Sequence, residues 1–202
     1  MIGQSNMAGR GNPAEVPPID GRNIVVFRKA LWEPYFSPVN SDNSFSGVSL
    51  AESFAVEYRE RHKNINIGLI PCAHGGTTIE MWKKGEPLYE NAVFAAKLAM
   101  KSSELKGILW HQGESDCAND RYVHYKERLR ALVHNLREDL GLHDLPFIAG
   151  GLGDYLPKCK IIKDDFENYK EINRMIKELE HECAPFSFAD ASGLEANEDM
   201  LH

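Results

Sequence analysis

No stretch of this sequence approaches the roughly 20 consecutive apolar residues that a membrane span requires, so no transmembrane helix is expected. Positive charge is not in excess either. Lys and Arg number 23 against 30 Asp and Glu, and the net charge of −7 comes without any basic block. General attraction to nucleic acid or to an anionic membrane surface is thereby excluded. Cysteine is scarce: Cys72, Cys117, Cys159 and Cys183 stand far apart, with no CxxC pair and no histidines at zinc-finger spacing. Free thiols are expected, one disulfide being the alternative. Also absent are a P-loop, a GxGxxG after the first strand, an HExxH helix, internal repeats and low-complexity linkers. These absences remove nucleotide-binding and zinc-protease chemistry from consideration. No leader precedes the first motif, which tilts the expectation toward the cytoplasm over secretion.

What is present is the composition of a globular protein. At 202 residues with 43% hydrophobic and 26% charged, the chain can bury a sizeable core, and one domain over residues 1–202 is expected. Short apolar runs alternate with longer helical patterns, the signature of a parallel α/β sheet. Residues 24–27, 65–70, 107–110 and 147–149 read as buried strands, and 186–188 as a shorter one. Helices are predicted over Ser49 to His62, with Leu50, Phe54 and Tyr58 on one face, and over Asn91 to Lys101. Two more are predicted over Tyr122 to Leu140, with Pro146 helping to stop it, and over Asp165 to Glu182.

In open parallel sheets, ligands bind in the loops that follow the carboxyl ends of the strands. Three polar, glycine-bearing segments fall there: Gly3-Gln4-Ser5-Asn6-Met7-Ala8-Gly9-Arg10, Cys72-Ala73-His74-Gly75-Gly76-Thr77-Thr78, and Trp110-His111-Gln112-Gly113-Glu114-Ser115-Asp116. Each alone reads equally as a loop of helix-capping residues. All three together, each at a strand exit, point to a site.

At these residues the chain resembles the SGNH hydrolases, in the branch that holds sialate O-acetylesterases and the acetylxylan esterases of carbohydrate esterase family 6. The first segment is similar to that branch's first block, His74 to Thr77 to its second, Trp110 to Asp116 to its third, and Asp199-Met200-Leu201-His202 to its last, a DxxH. The resemblance runs from Met1 to His202. It implies an α/β fold, a three-layer α/β/α sandwich around a mostly parallel, flavodoxin-like five-stranded sheet ordered 2-1-3-4-5. It implies a serine esterase that removes O-acetyl groups from an acetylated carbohydrate, with neither cofactor nor metal.

The same resemblance assigns roles. Ser5 is the nucleophile, a hydroxyl that needs a base to take its proton. His202 is that base, and Asp199 holds its imidazole in the right tautomer. The oxyanion hole draws on the backbone N–H of Ser5, on Gly76 in preference to Gly75, and on the side-chain amide of Gln112. Glycine is expected at the pair because a Cβ would intrude on the approaching substrate. Gly75 and Thr77 line the substrate site. Glu114 does so too, unless it and Asp116 bond loop amides or cap a helix, and Arg10 bonds either its own loop or a substrate oxygen. Trp82 and Trp110 could stack on a sugar ring or belong to the core.

Rival chemistries are weaker. A metal held by His74, His111, Glu114 and Asp116 has no HExxH and no helical His pair behind it, and carboxylates in such loops usually cap helices. A glycosidase would need two carboxylates at a set separation, and no pattern sets one. Met1 to Gly3 is short for a first strand and the chain stops at the DxxH, so both ends read as truncated. The alternative function is accordingly an inactive fragment or a non-catalytic carbohydrate-binding remnant.

Overall fold

The ladder begins at strand β1 (Ile2–Gly3), which pairs in parallel with β5 (Ile108–His111). Gly3 allows that closeness. A Cβ there, at φ +132°, would stand 2.1 Å from the His111 carbonyl oxygen. In this computed structural model, which describes residues 1–160 and 166–202, β5 is followed in parallel by β6 (Phe147–Gly150) and β7 (Phe186–Ala189). A second ladder joins β2 (Ile24–Arg28) in parallel to β4 (Ile67–Leu69) and antiparallel to β3 (Leu31–Pro34). Backbone bonds tie the two together: Met1 N to Ile70 O at 3.0 Å, Cys72 N to Met1 O at 2.9 Å, and His74 N to Gly3 O at 3.0 Å. The strands thus run β3-β2-β4-β1-β5-β6-β7. Within them β4-β1-β5-β6-β7 is the expected 2-1-3-4-5 order, widened by a hairpin on one edge.

Alternation along β5 sorts the faces. Ile108 and Trp110 join the main core with α3 (Pro87–Ala99), α4 (Tyr125–Leu140) and α5 (Tyr169–Glu178). Leu109, between them, packs instead with Met7 and Ala8 of the one-turn α1 (Ser5–Ala8). On the β2–β4 part of the sheet, α2 (Leu50–Arg61) lays Ala51 and Ala55 against Ile24, Val26, Ile67 and Leu69. Helices therefore cover both faces, and the chain has the three-layer α/β fold.

The helix boundaries follow local chemistry. Ser49 and Glu52 form a reciprocal capping box at the start of α2. The buried stripe of α2 is Ala51 and Ala55, while Leu50, Phe54 and Tyr58 are half-buried beside it. Helix α3 starts a turn earlier than predicted, with Pro87 in its first turn, where a missing N–H costs nothing. Helix α4 is ended by Gly141 in the left-handed region at φ +67°, five residues ahead of Pro146. The predicted start of the last helix, Asp165, lies outside the described residues. The helix is regular from Tyr169, with Phe166, Ile172, Ile176 and Leu179 buried as the periodicity indicated.

Candidate active site

The end of β1 turns directly into α1, and Ser5 is its first residue, 94% buried with 6% of its surface exposed. Its neighbour Asn6 makes the connection that assembles the site. Asn6 Nδ2 donates to Leu201 O at 3.0 Å, across 195 positions of sequence, and to Glu114 Oε1 at 2.6 Å. The first, third and last sequence blocks are thereby joined through one amide.

Asp199 and His202 occupy a short loop shaped by Met200 at φ +56°. Asp199 Oδ1 accepts from the N–H of Leu201 at 2.8 Å and of His202 at 2.9 Å, and Oδ2 lies 2.6 Å from His202 Nδ1. Burial pushes the Asp199 carboxyl up, but the His202 ring and the two backbone N–H groups more than reverse this and hold it below its ordinary value. A carboxylate can only accept, so Nδ1 carries the imidazole proton and Nε2 of the neutral ring is the atom free to take another. Leu201, 5% exposed, plugs the loop into the main core.

The glycine pair divides its work. Gly75 N–H donates to Asp42 Oδ2 at 2.8 Å, and a Cβ on Gly75 would sit 2.4 Å from Arg10 Nη2. Gly76 stands at φ +72° with nothing within 4 Å of an added Cβ. Among the described residues no acceptor is assigned to its N–H. What requires glycine at residue 75 in this structure is the Arg10 guanidinium, and at residue 76 the backbone conformation.

Four of the residues considered for the substrate site have polar partners within the protein. Gln112 is fully buried, and its Nε2 faces Asp116 Oδ2 at 2.6 Å, Thr77 O at 2.9 Å and Gln4 Oε1 at 3.2 Å. Reversing the amide would set oxygen against three oxygens, so in this structure Nε2 faces acceptors of the protein itself. Arg10 forms a fork with Asp42, at 2.7 and 3.1 Å, with side chains only 6% and 3% exposed, and bonds its own loop at Gly9 O. This is the loop-bonding alternative of the two. Thr77 is 1% exposed; its hydroxyl donates to His74 O and accepts from Trp82 Nε1, a structural role. Glu114, 2% exposed, is the acceptor for Asn6 and does not line an open surface. Trp82 and Trp110 also resolve to the core, as an edge-on pair with centroids 5.6 Å apart.

Asp116 is the companion of Gln112. It also accepts from Ile79 N at 2.8 Å, and burial raises its carboxyl above the ordinary value despite these bonds. Two contributors were not anticipated. Asn6 lies inside the first block, where its amide could have been read as a partner for the buried Glu114. Asp42 sits in an aperiodic segment with no sequence signal. It accepts from Arg10, Gly75 N–H and Ser46 Oγ, which together outweigh burial and bring its carboxyl down to about 2. The four cysteines stand as free thiols. Among the described residues no group of three or more His, Cys, Asp or Glu could hold a metal ion, and no helix is long and apolar enough to cross a membrane.

Comparison with known proteins adds a lineage to this geometry. A family model described as carbohydrate esterase, sialic acid-specific acetylesterase, matches residues 1–202. A probable carbohydrate esterase of Arabidopsis thaliana is 32% identical over 227 residues, spanning 100% of this chain and 82% of that protein. An X-ray structure of an Arabidopsis thaliana protein superposes with a TM-score of 0.86 at 29% identity, covering 100% of this chain and 87% of that one. The crystal structure of NanS superposes at 0.70 with 19% identity, over 97% of this chain and 77% of its own. A carbohydrate acetylesterase from Xanthomonas citri gives 0.70 at 18% identity, over 99% and 50%. At such identities the last two speak to the fold alone.

Proposed function

Because the chain belongs to the sialic acid-specific acetylesterase family of carbohydrate esterases, and is a carboxylic ester hydrolase, we propose that it removes O-acetyl groups through an acetyl-serine intermediate on Ser5. Ser5 Oγ attacks the acetyl carbonyl carbon while its proton passes to His202 Nε2. The tetrahedral oxyanion is met by the N–H groups of Ser5 and Gly76, donors fixed before the charge develops. Collapse breaks the bond between acetyl carbon and sugar oxygen, and the imidazolium returns the proton to the departing hydroxyl. Water then repeats the sequence on the acetyl group and releases acetate and free Ser5. Asp199 keeps the proton on Nδ1 and balances the imidazolium charge.

Gln112 enters this scheme as a brace. By bonding the Thr77 carbonyl it sets the strand exit that carries the glycine pair. The observation that supports the reading is the Asn6 Nδ2 bond to Leu201 O at 3.0 Å, which ties the residue after Ser5 to the residue before His202. The substrate is an acetylated carbohydrate of the acetylxylan or sialate type.

The test is Ser5→Ala assayed on vinyl acetate and on O-acetylated sugars. Loss of the nucleophile should lower kcat by about 10⁴–10⁶-fold with the fold intact. Activity retained within tenfold removes Ser5 from the mechanism.

A further inference from the structure

Phe45 is 70% exposed, a large aromatic side chain held in solvent. Single exposed apolar side chains are common and need no role. This one is carried on a braced loop. Its N–H donates to Asn43 Oδ1 at 3.0 Å, and the following Ser46 hydroxyl donates to Asp42 Oδ1 at 2.9 Å. Gly47 N then bonds Gly9 O at 3.1 Å, so the segment is stitched to the turn that follows α1.

The ring's position ties it to the site. The Arg10 guanidinium carbon lies over the Phe45 ring, 5.3 Å from its centroid. On its other side, Arg10 Nη2 lies 2.4 Å from where a Gly75 Cβ would be. One guanidinium therefore separates the aromatic ring from the glycine pair. Arg10 and Asp42 neutralise each other in their fork, leaving no net charge beneath the ring. One face of Phe45 rests on the guanidinium, while most of the residue's surface is exposed.

We propose that Phe45 is a stacking platform for the sugar ring of the ester substrate, a proposal that rests on the esterase reading above. The apolar C–H face of a pyranose lies flat on an aromatic face while its hydroxyls stay in water, and phenylalanine offers such a face without a polar tip. Because the loop is already braced, binding orders little that was free, which is how a single contact becomes effective. The acetyl group of a sugar seated there extends past Arg10 toward Gly76 and Ser5. Phe45 thus selects acetylated sugars over small acetates.

The experiment compares wild type, Phe45→Ala and Phe45→Trp on three esters: vinyl acetate, which has no ring, a peracetylated methyl xyloside, and a 9-O-acetylated sialic acid. Phe45→Ala should lower the ratio of kcat/KM on the preferred sugar ester to that on vinyl acetate by about three- to tenfold, mainly through KM. Phe45→Trp should restore the ratio. An unchanged ratio in Phe45→Ala, or no rescue by tryptophan, overturns the platform and leaves ester hydrolysis at Ser5 standing. A wild-type enzyme that cleaves vinyl acetate but neither sugar ester overturns the carbohydrate reading, and the platform with it.

Discussion

Asp42→Asn is the substitution whose consequence can be worked most fully from the structure. It keeps the side chain's shape and removes the charge that holds Arg10 and the Gly75 N–H. Between the ordinary 3.8 and the value of about 2 set by these partners, the carboxylate contributes about 2 kcal/mol at neutral pH, at 1.36 kcal/mol per pKa unit. The side chain is only 3% exposed, so solvent screening takes little from that figure. Removing it also strands the buried Arg10 cation, which brings the expected loss to about 3–5 kcal/mol at pH 7. The sign follows from the lowered pKa. The stabilisation is complete above pH 4, where the unfolded group is ionised, and fades as pH falls toward about 2. By pH 3 about 1 kcal/mol of it is gone. Urea denaturation of wild type and Asp42→Asn, followed by tryptophan fluorescence at pH 7, 4 and 3, reads the gap directly. It should narrow by about 1 kcal/mol between pH 7 and pH 3. A gap that stays constant with pH, or is absent at pH 7, refutes the assignment of Asp42 as the ionised anchor of this loop.

Two further substitutions probe the site. Asn6→Ala removes both amide bonds, leaving Glu114 buried without its donor and the Leu201 carbonyl unheld. It should cost about 2–4 kcal/mol of stability and lower kcat at least tenfold, with KM moved less; unaltered kinetics would show that the amide does not align the base. Gln112→Ala separates a brace from an oxyanion donor. As a brace it should cost about 1–3 kcal/mol in denaturation through the stranded Asp116 and Thr77 oxygens. A kcat loss of about 10²–10³-fold with unchanged stability would instead restore Gln112 to the oxyanion hole.

How far the sequence could be read depended on where the information lies. The buried strands and the amphipathic α4 and α5 were legible because each repeats a local pattern of apolar residues. Strand β3 was not. Its hairpin turns on Lys29 and Ala30, at φ +49° and +66°, where the usual signal is Asn-Gly or Asp-Gly. In α2 the larger residues Leu50, Phe54 and Tyr58 suggested the core stripe. The close approach of helix to sheet instead selects Ala51 and Ala55. The polar blocks at strand exits were visible because a parallel sheet gathers such loops at one edge. Which atoms in them are already committed was not visible. In one dimension Gln112 is read as an oxyanion donor and Arg10 as bonding either its own loop or a substrate oxygen, and only the folded chain supplies the Thr77, Asp116 and Asp42 oxygens that face them.

Among the described residues, the loop bearing Asp199 and His202 is held by the buried Leu201 side chain and the Asn6 amide and is not part of a strand ladder. A segment so attached opens at a lower free energy than the strands beside it. On the proposed mechanism, mild heat or denaturant would silence the enzyme while its spectra still report an intact protein. Catalysis and folding would fail at separate temperatures, in that order, and recover in reverse.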